Sequence, residues 1–437
     1  MGISLSDLQH VTLEEYPLDV IESSVPSSMK LTQYMKKEFA ELDVTGRNRY
    51  AYIPFKFATN MGVTMNTGAF PASGKSQYQR QTIDCNSCVR LSTEVDDVTL
   101  QSDSLIGDIM VQLKEEIVDV YPRIINTLFA GDRYGALAKY TAAVVGSDDQ
   151  IVDETSRLER GMRILTSSSN TQLTQSQGSD LSSGLSGSSC FTVGAINSDV
   201  KFTLKDADNS SDQTDDVASG RRLFLDGVLH ASGSYAFNTL ENIIDSANDY
   251  TDSSYGGDDA INTTLYGLTR SSYDILNCKV EHNDNTAVPY REKILRKLLN
   301  NIEKKYAGAV KVLCLNYEVE DAIIAAQKSD RIIIADYFTR TPMGDEVPAY
   351  FYRDRKIPLL IDEKLRKGNI WALNTDKWYM ITGRNDGWEN MNGSMWKLKP
   401  SSSGGFDPKY IAYFTKWIQF ACPAVDQNGV YRDIAVV

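Results

Sequence analysis

Fifty consecutive residues, Gly46 to Val95, carry a net charge of +4 in a chain whose total is −13. They hold Arg47, Arg49, Lys56, Lys75, Arg80 and Arg90 against only Asp84 and Glu94, which leaves −17 for the remainder. Core-sized apolar clusters are few, so this stretch cannot easily bury a core of its own. It is followed by a long helical pattern: Leu105, Ile106, Ile109, Met110, Leu113, Ile117, Val120, Tyr121, Ile124 and Leu128 recur at three- and four-residue steps. The basic stretch therefore reads as an arm that folds against something else. On an acidic body, the fitting partner is a second copy of the chain, with the six cations as candidate inter-subunit contacts.

Within the arm, Arg49 to Ala58 is rich in aromatic and apolar residues, a strand signature that Pro54 confines to an edge or hairpin. Gly62, Gly68, Pro71 and Gly74 punctuate a long tip, and Gln79 to Thr93 returns as a second strand. In the helix that follows, Asp103 or Ser104 caps the start, Pro122 introduces a kink and Gly131 ends it. About 26 residues at 1.5 Å rise make a rod of roughly 40 Å. Ahead of the arm, residues 1–45 are acidic and interrupted by Pro17 and Pro26. There the spacing predicts one short helix, over Ser28 to Leu42.

A length of 437 residues suggests roughly two to three domains. An acidic balance argues against a dedicated duplex-binding surface, which needs clustered Lys and Arg. Twenty-three tyrosines suit extensive, partly wet interfaces. Thr166 to Ser189 is almost wholly Ser, Thr, Gln, Asn and Gly and reads as a linker or surface loop. Cys190 to Leu204 alternates as strand, and Asp206 to Asp216 is an acidic loop, so residues 167–235 read as an insertion with a small β element. Asp245 to Asp259 is a second acidic loop.

From Pro289 the pattern becomes α/β. Tyr290 to Lys305 is a helix with Ile294, Leu295, Leu298, Leu299 and Ile302 on one face. Ala309 to Leu315 is a strand and Glu318 to Gln327 a helix. Ile332 to Ala335, Pro358 to Ile361, Asn369 to Leu373 and Trp378 to Thr382 are short strands. Ile411 to Cys422 has bulky residues on both faces and should lie centrally in a sheet.

No catalytic constellation emerges. Ser73-Gly-Lys-Ser76 resembles the end of a phosphate-binding loop, but position 69 is Ala and the sequence runs on into a strand instead of a helix. Cys85-Asn-Ser-Cys88 has redox or zinc spacing, yet it sits in strand-like sequence and no second pair completes a zinc site. Two small strand residues is the better reading, and Cys314 reads as a buried small hydrophobe. Six scattered cysteines suit a reducing compartment. Asp206-Ala-Asp-Asn-Ser opens like a calcium loop, but Ser211 and Val217 occupy the glycine and bidentate-acid positions. Met1-Gly-Ile-Ser-Leu-Ser6 fits a myristoylation pattern, which reads as chance. His10, His230 and His282 are isolated. No cofactor, metal or catalytic residue is expected, nor a signal peptide or membrane span.

The order of elements resembles the major capsid proteins of tailed bacteriophages, which have the Hong Kong 97-type fold. Arg49-Tyr-Ala-Tyr-Ile-Pro-Phe to Gln77-Tyr-Gln-Arg is similar to that family's extended loop, and Leu105 to Phe129-Ala-Gly-Asp to its spine helix. Tyr266-Gly-Leu-Thr-Arg270-Ser-Ser-Tyr273 resembles the glycine-arginine segment before the axial domain. Pro358-Leu-Leu-Ile-Asp362 with Gly368 to Trp378 is similar to late axial strands, and Tyr413 to Cys422-Pro, then Asn428-Gly, to the closing peripheral strand.

The resemblance implies an α+β fold with an N-terminal arm (1–45), extended β-hairpin loop (46–98), peripheral domain with spine helix (99–166), inserted β-containing segment (167–235), peripheral connection (236–288), axial domain (289–400) and closing strand and tail (401–437). It implies self-assembly as hexamers and pentamers into an icosahedral shell around double-stranded DNA held non-specifically. Further implied partners are a separate scaffolding protein, a portal and a cement protein, with no membrane. The location implied is the virion, assembled in the cytoplasm of a bacterial host. The insertion departs from the minimal fold. No long charged helical segment precedes the arm, so a fused scaffold is not expected. Some family members join subunits through a Lys and an Asn; no matching motif carries that role to Lys56 or Lys75. Alternatives are an encapsulin-like nanocompartment shell and, in another class, an adhesive surface-binding protein.

Overall fold

The computed structural model describes residues 35–39, 41–42, 49–58, 76–85, 88–96, 120–132, 135–141, 149–166, 191–205, 222–225, 237–246, 263–283, 286–329, 338–340, 346–382, 387–389, 397–400 and 406–436. The chain divides into two compact units. One comprises residues 1–51, 84–126 and 380–419, the other residues 52–83, 127–379 and 420–437.

The chain begins its described part in strands β1 (Lys36–Phe39) and β2 (Glu41–Leu42). The short helix expected over Ser28 to Leu42 is thus corrected at its C-terminal end, where the backbone is extended; residues 28–34 lie outside the described residues. An isolated helix this short is marginal. A sheet neighbour offers the same backbone groups hydrogen bonds that local spacing does not reveal. Strands β3 (Arg49–Ala58) and β4 (Gln77–Asp84) form a hairpin as expected. The return strand expected over Gln79 to Thr93 is corrected: it ends at Asp84, and β5 (Cys88–Asp96) pairs instead with residues Lys409 to Trp417. Beyond them, α1 spans residues 120–129 and Gly131 N–H bonds back to Leu128 C=O at 3.3 Å, as a helix end at that glycine requires. Expected helical residues 105–119 lie outside the described residues; Pro122 lies within α1, which continues past it to residue 129.

Six short strands come next: β6 (Ala138–Lys139), β7 (Asp149–Ile151), β8 (Arg163–Thr166), β9 (Phe191–Ser198), β10 (Lys201–Lys205) and β11 (Arg222–Leu225). Their order is β6-β11-β8-β9-β10-β7, antiparallel throughout. The two outermost strands also meet, through the antiparallel bridge Tyr140↔Val152 and the bonds Thr141 N–H to Ile151 C=O (3.2 Å) and Asp153 N–H to Lys139 C=O (2.8 Å). The sheet therefore closes into a small barrel. Ile164, Val193, Phe202, Leu204 and Leu223 fill it, each with no exposed surface. Chain direction in and out is equally compact: Leu137 N–H donates to Leu223 C=O at 2.7 Å, and Ala138 pairs with Leu223.

After helix α2 (Leu240–Ile243) and the tight hairpin β12 (Thr264–Leu265) to β13 (Leu268–Thr269), an α/β layer forms. It contains β14 (Lys279–Glu281), α3 (Glu292–Glu303), β15 (Val312–Leu315), α4 (Tyr317–Ser329), β16 (Phe338–Arg340), β17 (Glu346–Tyr352), β18 (Arg355–Ile361) and β19 (Ile370–Leu373). The elements expected from Tyr290, Ala309, Glu318, Pro358 and Asn369 are all present. The strand expected at Ile332 to Ala335 lies outside the described residues. Every residue of β15 and β19 is buried, as continuous apolar runs covered on both faces demand.

The chain finishes through β20 (Tyr379–Thr382), β21 (Gly387–Trp388), β22 (Lys397–Pro400), β23 (Phe406–Ala421) and β24 (Gly429–Tyr431). The α/β sheet has the order β14-β24-β19-β15-β18-β17-β16. Helix α3 buries Leu295, Leu298, Leu299 and Ile302 against it. A side chain at Gly429 would place its Cβ 2.8 Å from Leu298 Cδ1 and 2.9 Å from Ile302 Cδ1, so glycine is what lets the helix approach β24. In the first unit, β23 pairs with β5, β21 and β22 and lies beside β20, with β1 beyond it. The central position expected of this strand is what the sheet shows.

Candidate assembly surfaces

Of the six candidate contact cations, Arg47 and Lys75 lie outside the described residues, and Arg49 is placed in β3. Alternation along β3 and β4 separates two faces of the hairpin. On the inner face, Phe55 and Phe57 meet the ring of Tyr273 edge-on, with centroids 5.7 and 5.2 Å away. Gln81 and Ile83 are fully buried there, and Gln81 Nε2 donates to Pro423 C=O at 3.1 Å. On the outer face Tyr52, Lys56 and Arg80 are exposed, and the Arg80 guanidinium lies 4.0 Å over the Tyr52 ring. Tyr78, next to Arg80, is 66% exposed. Lys56 and Arg80 are thus brought together on one face with exposed aromatics, which sequence charge alone did not specify.

Arg90 is placed elsewhere, on β5 in the first unit. Its guanidinium pairs with Glu389 at 2.6 Å and donates to Thr415 Oγ1 at 3.3 Å. Thr415 in turn donates to Glu389 at 2.6 Å, and Lys397 lies 3.3 Å from the same carboxylate. The Thr415 hydrogen bond, reinforced by Lys397 and Arg90, holds the Glu389 carboxyl below its ordinary pKa. Arg90 is therefore part of an intrachain cluster, although it keeps exposed surface.

One segment fixes the hairpin base. Tyr266 (φ 53°) and Gly267 (φ 74°) form a two-residue turn with both central residues left-handed, the geometry that tight hairpins favour. The Tyr266 hydroxyl accepts from Cys422 N–H at 2.8 Å. Arg270, with no exposed surface, donates Nη2 to Asn242 C=O (2.6 Å) and Ile243 C=O (3.2 Å), and Nη1 to Asp245 C=O (3.0 Å) and to Leu276 C=O. These include carbonyls that the end of α2 leaves without intrahelical donors. Three residues on, Tyr273 receives Phe55 and Phe57. The same short stretch thus holds the end of α2, the start of the Cys422 turn and the hairpin's inner face.

Two further buried arginines escaped sequence reading. Arg222 pairs with Asp132 at 2.9 Å, and Arg157 pairs with Glu154 at 3.6 Å while donating Nε to Lys364 C=O at 2.9 Å. Nothing in the local pattern distinguishes these from surface cations. Asp132 and Glu154 both have pKa values raised chiefly by burial, against the pull of Arg222 and Arg157 respectively.

Cys85 is fully buried directly after β4, with Sγ 3.7 Å from Ile381 C=O, and Cys88 begins β5. Cys88 is thus a strand residue as expected, Cys85 lies just past a strand end, and residues 86–87 lie outside the described residues. Ser76 likewise leads into β4 and no helix. Cys314 is fully buried, with burial pushing its thiol pKa well up. Among the described residues, no group of three or more His, Cys, Asp or Glu could hold a metal ion, and no helix is long and apolar enough to cross a membrane.

The sequence matches no family model and no curated protein. Solved structures do match. One chain of the cyanophage A-1(L) capsid asymmetric unit aligns over 93% of this chain and 91% of that one, at 11% identity and a TM-score of 0.50. The capsid of a native GTA particle aligns over 93% and 90%, at 12% identity and 0.40. The encapsulin complex of Synechococcus elongatus aligns over 36% of this chain and 54% of that one, at 14% identity and 0.25. The first of these establishes an α+β capsid-protein fold for nearly the whole chain.

Proposed function

We propose that this chain is the major capsid protein of a tailed bacteriophage, building an icosahedral shell of hexamers and pentamers around double-stranded DNA. The observation that carries the reading is the end-to-end alignment with a phage capsid chain, 93% of one on 91% of the other at a TM-score of 0.50. Within a Hong Kong 97-type plan, the β3–β4 hairpin serves as the extended loop and α1 as the end of the spine helix. The seven-stranded α/β layer lies mainly in the axial domain (289–400), β23 serves as the closing peripheral strand (401–437), and β9 to β11 of the barrel belong to the inserted segment (167–235). A separate scaffolding protein, a portal and a cement protein complete the particle, which is assembled in the cytoplasm of the bacterial host.

The hairpin's outer face supports a contact role for Arg80, which is exposed beside Tyr52 and Tyr78, because tyrosine and arginine are enriched in interface centres; Lys56 on the same face suits the polar rim. Each exposed ion pair contributes only about 0–1 kcal/mol. Repetition around a closed shell makes such contacts sum.

Negative-stain electron microscopy of the purified chain tests the proposal. Shells, tubes or capsomers are expected, and a persistent monomer at high concentration would overturn it. Deleting residues 60–78 tests the arm: assembly should fail, and normal shells would sink that assignment. Nucleic acid inside the particles separates a virus shell from a nanocompartment, which would enclose a cargo protein.

A further inference from the structure

We infer that Arg157 and Lys364 form a reciprocal clasp that holds the barrel and the seven-stranded layer as one mechanical body. The barrel enters and leaves by adjacent strands, joined by Leu137 N–H to Leu223 C=O at 2.7 Å. A module attached at one doorway has a natural hinge there. Two buried arginines stand at that doorway. Arg222 grips Asp132, just past the end of α1, at 2.9 Å. Arg157 reaches further, from the crossing between β7 and β8 into the turn that follows β18.

There the two segments exchange bonds. Arg157 Nε donates to the carbonyl of Lys364 at 2.9 Å, and Lys364 Nζ donates to the carbonyl of Ser156 at 2.7 Å. Arg157 Nη1 also donates to Leu137 C=O at 3.3 Å, on the inbound strand of the barrel. Lys364 Nζ lies 3.3 Å from Glu159. One guanidinium therefore ties together the doorway, the crossing loop and the neighbouring layer, and it is only 2% exposed. Buried cations whose donors are aimed at backbone carbonyls fix orientation tightly, because each lost bond strands a polar group away from water.

The clasp's bonds to Lys364 lie outside the barrel's strand ladders and its bridge Tyr140↔Val152, although Leu137 and Leu158 beside the clasp belong to the barrel's apolar filling. Opening the clasp should free the module to swing without unfolding it. This follows from geometry in the chain alone and stands whether or not the protein builds a shell.

Amide hydrogen exchange on the full-length protein provides the test, with Arg157→Met, Lys364→Met and Arg157→Lys as variants. In Arg157→Met, amides of residues 154–159 and 362–367 should exchange about 10- to 100-fold faster while those of 191–205 keep their protection. Lys364→Met keeps the carbonyl that Arg157 uses, so its effect should be about tenfold or less on the same segments. Arg157→Lys should fall between wild type and Arg157→Met. Unchanged exchange in both segments overturns the clasp. Loss of protection at 191–205 in parallel overturns the separation of barrel and clasp on which it rests.

Discussion

The barrel and the β3–β4 hairpin are both built of short antiparallel strands, yet they handle their edges in opposite ways. The barrel brings its outer strands together at Tyr140↔Val152 and fills its interior with Phe202, Leu204 and Leu223. Closure leaves no unpaired edge and makes the module self-sufficient. The hairpin buries one face on Tyr273 and leaves the other open, with Tyr52, Lys56, Tyr78 and Arg80 exposed. The contrast is between a module whose apolar residues face inward and a hairpin that keeps one polar, aromatic face exposed.

The largest expected effect breaks the barrel side of this contrast. Phe202→Ala empties the middle of a closed core and should cost about 3–5 kcal/mol, read as faster exchange of amides in 191–205. If the loss is near zero, the barrel is not a packed module. Next comes Phe55→Ala, which removes an edge-on ring contact at the hairpin base. It should cost about 2–3 kcal/mol of local stability there and leave barrel exchange unchanged.

A pH series sharpens the comparison between the barrel's root and the β23 sheet. Asp132 and Glu154 have raised folded pKa values, so their contribution is fully present below the ordinary carboxylate range and is lost as pH rises through the raised values. Glu389 is lowered, so its contribution is present above its ordinary value and lost as pH falls through the lowered one. With exchange expressed as protection relative to the intrinsic, base-catalysed rate, protection around residues 132 and 154–159 should rise toward acid, and protection around residue 389 should fall only as pH drops below the ordinary carboxylate range. Glu154→Gln should flatten the first slope; identical slopes in both regions would contradict the assignment. The smallest effect belongs to the open face. Arg80→Ala removes a cation over an exposed ring, about 0.5–1 kcal/mol, and should leave the melting of the free chain nearly unchanged. Its expected readout is a rise in the concentration at which particles form.

Much of the α/β half was legible because its apolar runs are long or strongly periodic. Leu295, Leu298, Leu299 and Ile302 mark one helix face, and Val312 to Leu315 is a continuous buried strand. The basic arm is legible as a hairpin, since its aromatic run reads as strand, Pro54 confines that strand to an edge or hairpin, and the glycines mark the tip between strands. The barrel was only half visible. Strands such as Ala138–Lys139 and Asp149–Ile151 are too short to show a period, and closure depends on partners far apart in sequence. The strand at Lys36–Phe39 was read as helix because Met35 and Phe39 satisfy a four-residue step that a sheet partner overrides. Arg157 and Arg222 look like any surface cation until the fold brings them their partners, backbone carbonyls for Arg157 and the Asp132 carboxylate for Arg222.

The barrel's doorway has a consequence for engineering. A module whose inbound and outbound strands are hydrogen-bonded neighbours marks a splice point, at which a foreign domain with equally close ends could be grafted into the chain. Such a graft must bring new donors for two acceptors left behind on the host, the Asp132 carboxylate and the Lys364 carbonyl. A replacement that supplies only a matching width would leave both stranded.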